Sequence, residues 1–223
     1  SDLPAGVELT QAPASYRLRP GDGDRLFNWS NGPQALKPLL FTPGHVLWQV
    51  QHDASGRLEF TGNEEAVEAT AVIGVRPCDL SALELQDRHF LAPGVEDPHY
   101  KKRRDSLLLI GVDCSHPADT CFCASTGDGP DLTAGFDIGM SELDEGFLLR
   151  MGTTRGWEVV KPMGLDQAAE IQQQQAAVQN EQARIRQKKK LPDADIQKLL
   201  LQRPGHPHWQ HVAERCTACG SCT

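Results

Sequence analysis

Seven cysteines stand in two tight groups, Cys78, Cys114, Cys121 and Cys123 in the middle of the chain and Cys216, Cys219 and Cys222 at its end. No other feature constrains the fold as strongly. A chain of 223 residues can bury a hydrophobic core without covalent staples. Seven is also an odd number, so a disulfide framework is a poor reading. Grouped thiols in a chain of this size point instead to metal ligation, and the fold has to carry distant turns to common points.

Cys216-Thr217-Ala218-Cys219-Gly220-Ser221-Cys222 has the C-x2-C-x2-C spacing that opens a ferredoxin run. In such a run thiolates wrap an iron–sulfur cubane while small residues, here Ala218, Gly220 and Ser221, let backbone amides approach the sulfides. The run stops at Thr223, before a fourth cysteine, and reads as the front part of a longer protein. The competing reading is zinc, which needs a fourth ligand from elsewhere and more often uses two separated C-x2-C pairs.

The middle group reads through its flanks. Ile73-Gly74-Val75-Arg76-Pro77-Cys78 and Ile110-Gly111-Val112-Asp113-Cys114 each put a cysteine just beyond a short apolar run that predicts a strand. If the two strands are parallel neighbours, both thiols emerge at the carboxyl edge of the sheet, where α/β folds place their ligands. Cys121 and Cys123 add two thiols from the next loop, and because an i, i+2 pair diverges when extended, that loop must be turned. A four-thiolate cluster is the first reading. Three thiols with Asp79 or Asp113 is the second, and small buried cysteines with no metal the third. Arg76, two residues from Cys78, is placed to offset the negative charge of a cluster.

The chain around these groups reads as mixed α/β (α+β), with a βαβ unit and antiparallel strands. Residues 45–51 and 57–61 flank the turn residues Asp53, Ser55 and Gly56 as a hairpin. Residues 69–75, 79–90, 100–105 and 106–112 read as strand, helix, helix and strand. Three alternating stretches at 136–143, 146–151 and 156–160 predict an antiparallel meander. Asp166 is the expected N-cap of a Gln-rich helix reaching Lys190, and a short helix follows over 193–202. On the Gln-rich helix Ile171, Val178 and Ile185 recur every seven residues, a thin stripe expected to dock on a body or a partner. Three parts are expected: an iron–sulfur α/β domain over 1–162, a helical linker over 163–205 and the start of a ferredoxin-like segment over 206–223.

Several residues read as ordinary surface. Arg103 and Arg104 look like a solvated charge run, and His206, His208 and His211 a surface turn before a short helix. Ser125 to Pro130 reads as a tight turn, because it lacks both a Walker lysine and a dinucleotide fingerprint. The net charge of −8 argues against nucleic acid and anionic lipid as partners. The start, Ser1-Asp2-Leu3-Pro4, shows no basic region followed by an apolar run, and no stretch reaches the roughly 20 apolar residues of a membrane span, so a cytoplasmic protein is expected.

Gly74-Val75-Arg76-Pro77-Cys78-Asp79-Leu80, Asp113-Cys114 through Cys121-Phe122-Cys123-Ala124-Ser125-Thr126-Gly127-Asp128-Gly129-Pro130, and Ala213-Glu214-Arg215-Cys216 onward resemble the beta subunit of cytoplasmic hydrogenase/sulfur reductase complexes, a 4Fe-4S dicluster family. The same pattern is similar to the corresponding subunit of anaerobic sulfite reductase. The resemblance implies an electron-transfer subunit with one 4Fe-4S cluster in its N-terminal domain and one or two more in a ferredoxin-like part. It implies two kinds of partner, a flavin/NAD(P)-binding reductase subunit and a catalytic hydrogenase or sulfite/sulfur reductase subunit. No catalytic residue is expected in this chain. The different-class alternative is a zinc-stabilised interaction module with the Gln-rich helix as its binding arm.

Overall fold

The computed structural model describes residues 3, 5–12, 15–21, 23–29, 36–62 and 66–216. Two antiparallel hairpins come first. β1 (Val7–Ala12) pairs with β2 (Ser15–Pro20), and beyond the short helix α1 (Lys37–Leu40), β3 (Trp48–His52) pairs with β4 (Leu58–Gly62). The second pair is the hairpin expected from alternation. Asp53 sets its turn, because its Oδ1 accepts from Ser55 N, Ser55 Oγ and Arg57 N at 2.8, 2.7 and 2.9 Å, the side-chain-to-backbone closure typical of Asx turns.

The expected crossover follows: β5 (Thr70–Val75), α2 (Pro77–Phe90), α3 (Pro98–Ser106) and β6 (Leu107–Val112), with β5 and β6 parallel. A short helix, α4 (Cys123–Thr126), lies in the next loop. β7 (Ile138–Leu143) then joins β6 in parallel, and β8 (Gly146–Met151) returns antiparallel, so one mixed sheet runs in the order β5-β6-β7-β8. The chain is mixed α/β, as its pattern of elements predicts. β6 is buried along almost its whole length, which explains its unbroken apolar run. Leu36, Leu40, Leu80, Leu83, Tyr100, Leu107 and Leu109 form the core between the sheet and the first three helices.

Four expectations change. The third stretch of the meander is helix α5 (Thr154–Val160). Thr153 Oγ1 caps it by accepting from Gly156 N at 3.1 Å. Gly156 marks close packing instead of a turn, since a Cβ there would lie 2.0 Å from the Asp137 carbonyl oxygen. The Gln-rich helix, α6 (Glu170–Arg186), starts later and stops earlier than expected. Its first turn is closed by Gln172 Oε1, which accepts from Ala169 N at 3.0 Å, so Asp166 is not the cap. Its stripe points outward: Ile171, Val178 and Ile185 are exposed, while Ala176 and Ala183 are buried against β7 and β8. Small side chains let the helix come close enough for Gln179 Nε2 to reach the Glu142 carbonyl at 3.1 Å. Arg103 and Arg104 are not a solvated run. Arg103 is buried and donates to Leu40 O and Thr42 Oγ1, both at 3.1 Å, and Arg104 pairs with Asp87 at 3.0 Å.

Beyond α6 come α7 (Ile196–Leu201), capped by Asp195, and α8 (Pro207–Glu214). His206 Nδ1 accepts from His208 N at 3.1 Å, so His206 caps α8 at the surface turn that the glycine and prolines predict, while His208 and His211 lie exposed on α8 itself. Among the described residues no helix is long and apolar enough to cross a membrane.

Candidate metal centre

The two parallel strands do what their sequences promise. Cys78 sits in the first turn of α2, just past β5, and Cys114 follows β6 by two residues, so both leave the carboxyl edge of the sheet. Cys114 is fixed there by its N–H, which donates to Pro130 O at 2.9 Å. The following loop is turned, as it has to be: Cys121 N donates to Ala118 O at 3.0 Å, and Cys123 opens α4. This folding back carries the C-x-C pair to the first two thiols.

All four thiols lie within electrostatic reach of one another. Burial pushes the Cys78 thiol up to about 12, with smaller contributions from Asp79 and from Cys123, Cys114 and Cys121. Its side chain keeps an exposed surface, so it sits in a recess open on one side. Burial also raises Cys121, seconded by Cys114 and Cys123, and it raises Cys123 with Cys114 adding to it. Cys78 is exposed while Cys114, Cys121 and Cys123 are partly buried, so the group lies close to the molecular surface. At neutral pH the raised thiols of Cys78, Cys121 and Cys123 keep their protons, and any metal that binds has to displace them.

The surroundings are built for negative charge. The start of α2 offers the positive end of a 14-residue helix. Arg76 is buried and donates to Asp113 O at 3.1 Å and to the carbonyls of Phe27 and Trp29, and its charge acts on Cys121. Gln187 Nε2 donates to Cys123 Sγ at 3.2 Å, and its Oε1 accepts from Ala124 N at 3.0 Å. Gly129, at φ +152°, stands so close that a Cβ would lie 3.2 Å from Pro77 Cβ and 3.4 Å from Cys123 Sγ. That is a cradle only glycine fits. Four thiolates with a helix start, an arginine and an amide donor are a donor set suited to a 4Fe-4S cluster. Among the described residues no three His, Cys, Asp or Glu side chains are gathered tightly enough to enclose a single ion.

Sequence reasoning missed the outer parts of this arrangement. From the last turn of α6, where Arg184 pairs with Asp131, the chain runs on over the cysteine loop as a strap, held by Gln187 on Cys123, Lys188 on Asp119 at 2.7 Å and Leu191 N on Ser125 Oγ at 3.2 Å. Residues 25–29, which carry no motif, are pinned beneath Arg76 and by Glu142, whose carboxylate accepts from Leu26 N and Phe27 N at 2.6 and 3.0 Å. Asp113 is not a spare ligand. Its buried carboxylate accepts from Leu132 N, Ser141 Oγ, Arg150 Nη2 and Asn180 Nδ2, which leaves it facing away from the thiols' chemistry. Asp79 stays beside Cys78, its carboxyl raised by burial and held by Arg76 N at 3.3 Å. Cys216 is exposed at the end of α8, and Cys219 and Cys222 lie outside the described residues.

The chain is 30% identical over 189 residues to the sulfhydrogenase 2 subunit beta of Pyrococcus furiosus, a match covering 84% of this chain and 54% of the relative. It therefore spans about half the length of the curated relative it matches. The similarity to this sulfhydrogenase beta subunit runs over most of the chain. No family model matches it, and no solved structure matches it.

Proposed function

We propose that this chain is an iron–sulfur electron-transfer subunit of a multisubunit oxidoreductase. The observation that carries the reading is the convergence of Cys78, Cys114, Cys121 and Cys123 at the carboxyl edge of the parallel strands, each within reach of the others' charge. Bound there, a 4Fe-4S cluster would supply reversible one-electron transfer at a tuned potential. The four thiols would hold it after losing their protons. Gln187 and the start of α2 would direct positive dipoles at the sulfurs, and Arg76 would place a buried positive charge nearby, each favouring the more negative, reduced state. The residues around the thiols have no proton to move, since outer-sphere transfer needs none.

On the same reading Cys216, Cys219 and Cys222 hold part of a ferredoxin-like site after residue 205, with further clusters in any longer chain. The partners are then a flavin/NAD(P)-binding reductase subunit and a catalytic subunit of the hydrogenase or sulfite/sulfur reductase kind, meeting in the cytoplasm. The name of the Pyrococcus relative supports an oxidoreductase subunit. Metal analysis with a visible spectrum of anaerobically purified protein tests the reading. Iron with acid-labile sulfide, and a brown absorption bleached by dithionite, supports it. Stoichiometric zinc in a colourless sample overturns it in favour of a structural metal. Cys78→Ser is expected to lose the N-terminal cluster while the chain stays folded, and full iron retention would count against the assignment.

A further inference from the structure

β8 is the last strand on its side of the sheet. Its neighbour geometry fixes which backbone groups it has left over. Gly152 N donates to Asp137 O at 2.9 Å, and the register continues as Arg150 opposite Gly139, Leu148 opposite Ser141 and Gly146 opposite Leu143. In an antiparallel ladder alternate residues bond the partner, so Phe147, Leu149 and Met151 turn their N–H and C=O outward. Among the described residues no hydrogen bond is made to these groups. An edge of this kind is a template for another strand.

The edge also faces a groove. A volume of about 1220 Å³ runs along all of β8, with α6 and the connection over 161–169 as its other walls. Two buried polar atoms beside it have no hydrogen-bond partner, Arg150 Nε and Asn180 Oδ1. The Asn180 amide is oriented without ambiguity, because its other end must donate to the Asp113 carboxylate. Trp157, Leu165 and Phe147 line the groove and are exposed, which suits apolar side chains. Its charges are unbalanced. Asp113 pairs with Arg150, and Arg184 serves both Asp131 and Glu181, while Glu145 and Asp166 have only Lys161 against them in the lining.

From this we infer that β8 is a docking edge for an extended, apolar segment of another polypeptide carrying Lys or Arg, which adds beside it as a fifth strand. Backbone pairing would supply the affinity, and alternate side chains would enter the groove. Six residues of β8 offer roughly 20 Å of edge, ample for such a segment. The inference stands apart from the metal reading, since its evidence is hydrogen-bond geometry and charge on another face of α6 and β8.

The test pans a phage-displayed library of random dodecapeptides on the full chain. Enriched sequences are expected to alternate apolar residues and to carry Lys or Arg. A synthetic peptide of the strongest clone should slow exchange of the Phe147, Leu149 and Met151 amides by about tenfold or more. Leu149→Pro removes an N–H that the fold does not use, a position where an edge strand tolerates proline, and it should weaken the peptide by about tenfold or more. If that variant unfolds, the amide protection in the unaltered chain decides. No enrichment, helical binders, or protection confined to other amides would overturn the inference. So would a dimer of the chain that Leu149→Pro dissolves, which would mean that β8 pairs with its own copy.

Discussion

Asp113→Ala is expected to be the most damaging single change outside the core. The carboxylate is fully buried and joins four parts of the chain: it accepts from Leu132 N at 2.7 Å, from Arg150 Nη2 at 2.8 and 2.9 Å, from Asn180 Nδ2 at 3.1 Å, and from the Ser141 hydroxyl. Alanine leaves every one of those donors behind. Removing one partner of a buried ion pair costs about 3–5 kcal/mol. Arg150, with 38% of its side chain exposed, can recover part of its hydration and pulls the cost toward the low end. The amide of Leu132 and the hydroxyl of Ser141 are buried, and each stranded donor costs about 1–3 kcal/mol if no water reaches it. About 3–4 kcal/mol is the expected net loss, below the simple sum of the terms, because water entering the space the carboxylate leaves can serve the stranded donors and effects around a single cavity are not additive. Domains of this size hold about 5–15 kcal/mol in total. Urea unfolding of the metal-free chain measures the loss as a lower midpoint at unchanged slope. Asp113→Asn keeps an acceptor and should fall between. A loss under about 1 kcal/mol for Asp113→Ala would refute the claim that this carboxylate ties the sheet to α6.

Four further outcomes follow from the same structure. Gly129→Ala forces a Cβ against Pro77 and Cys123 at a backbone angle that only glycine adopts readily; it should cost about 1–3 kcal/mol and lower iron uptake per chain, both measurable on one preparation. Gln187→Ala removes the donor on Cys123 Sγ, so the reduction midpoint of the N-terminal centre, followed by EPR during a redox titration, should move to more negative potential. The metal-free chain should lose stability as pH rises above 9. Burial lifts Cys78 from 9.0 to about 12 and raises Tyr100, which donates to Asp87 at 2.7 Å. Between its unfolded and folded pKa the native state holds a proton that the unfolded chain has lost, so stability falls with pH in that window. Thermal midpoints from pH 8 upward should decline, and less steeply in Cys78→Ser. Finally, Val178→Lys on the outward stripe of α6 should leave urea stability within about 0.5 kcal/mol, whereas Ala176→Lys on its buried face should cost about 2 kcal/mol or more; equal effects would mean the stripe is covered.

Sequence pattern reached furthest where the signal is itself local. The run from Ile110 to Cys114 is legible because β6 is buried along almost its whole length and needs unbroken apolar residues, and the run from Ile73 to Cys78 because a short β-branched stretch is followed at once by its exit turn, although β5 is an edge strand with Ile73 exposed. Chain chemistry alone therefore placed two thiols on one edge, and the steric demand on Cys121 and Cys123 placed the other two near it. The hairpin at Asp53 and the turn before α8 were legible for the same reason: each is closed by a side chain within a few residues.

What stayed hidden is whatever depends on a partner distant in sequence. Periodicity asks which face of a helix is more apolar, and on α6 that rule chose Ile171, Val178 and Ile185. The helix packs by the opposite choice, since Ala176 and Ala183 permit an approach at which Asn180 reaches Asp113, Gln179 reaches Glu142 and Gln187 reaches Cys123. Polar contacts at such positions leave no trace in the spacing of apolar residues, because burial of an amide is favourable only where a specific complementary group waits for it. Arg103 follows the same logic, reading as surface charge until the carbonyl of Leu40 and the hydroxyl of Thr42 are placed beside it. The residues that position the thiols are thus less legible than the thiols themselves. A ligand declares its chemistry by type and spacing, whereas a residue that orients it is defined only by a geometry the chain assembles across long separations, as between Cys123 and Gln187, 64 residues apart.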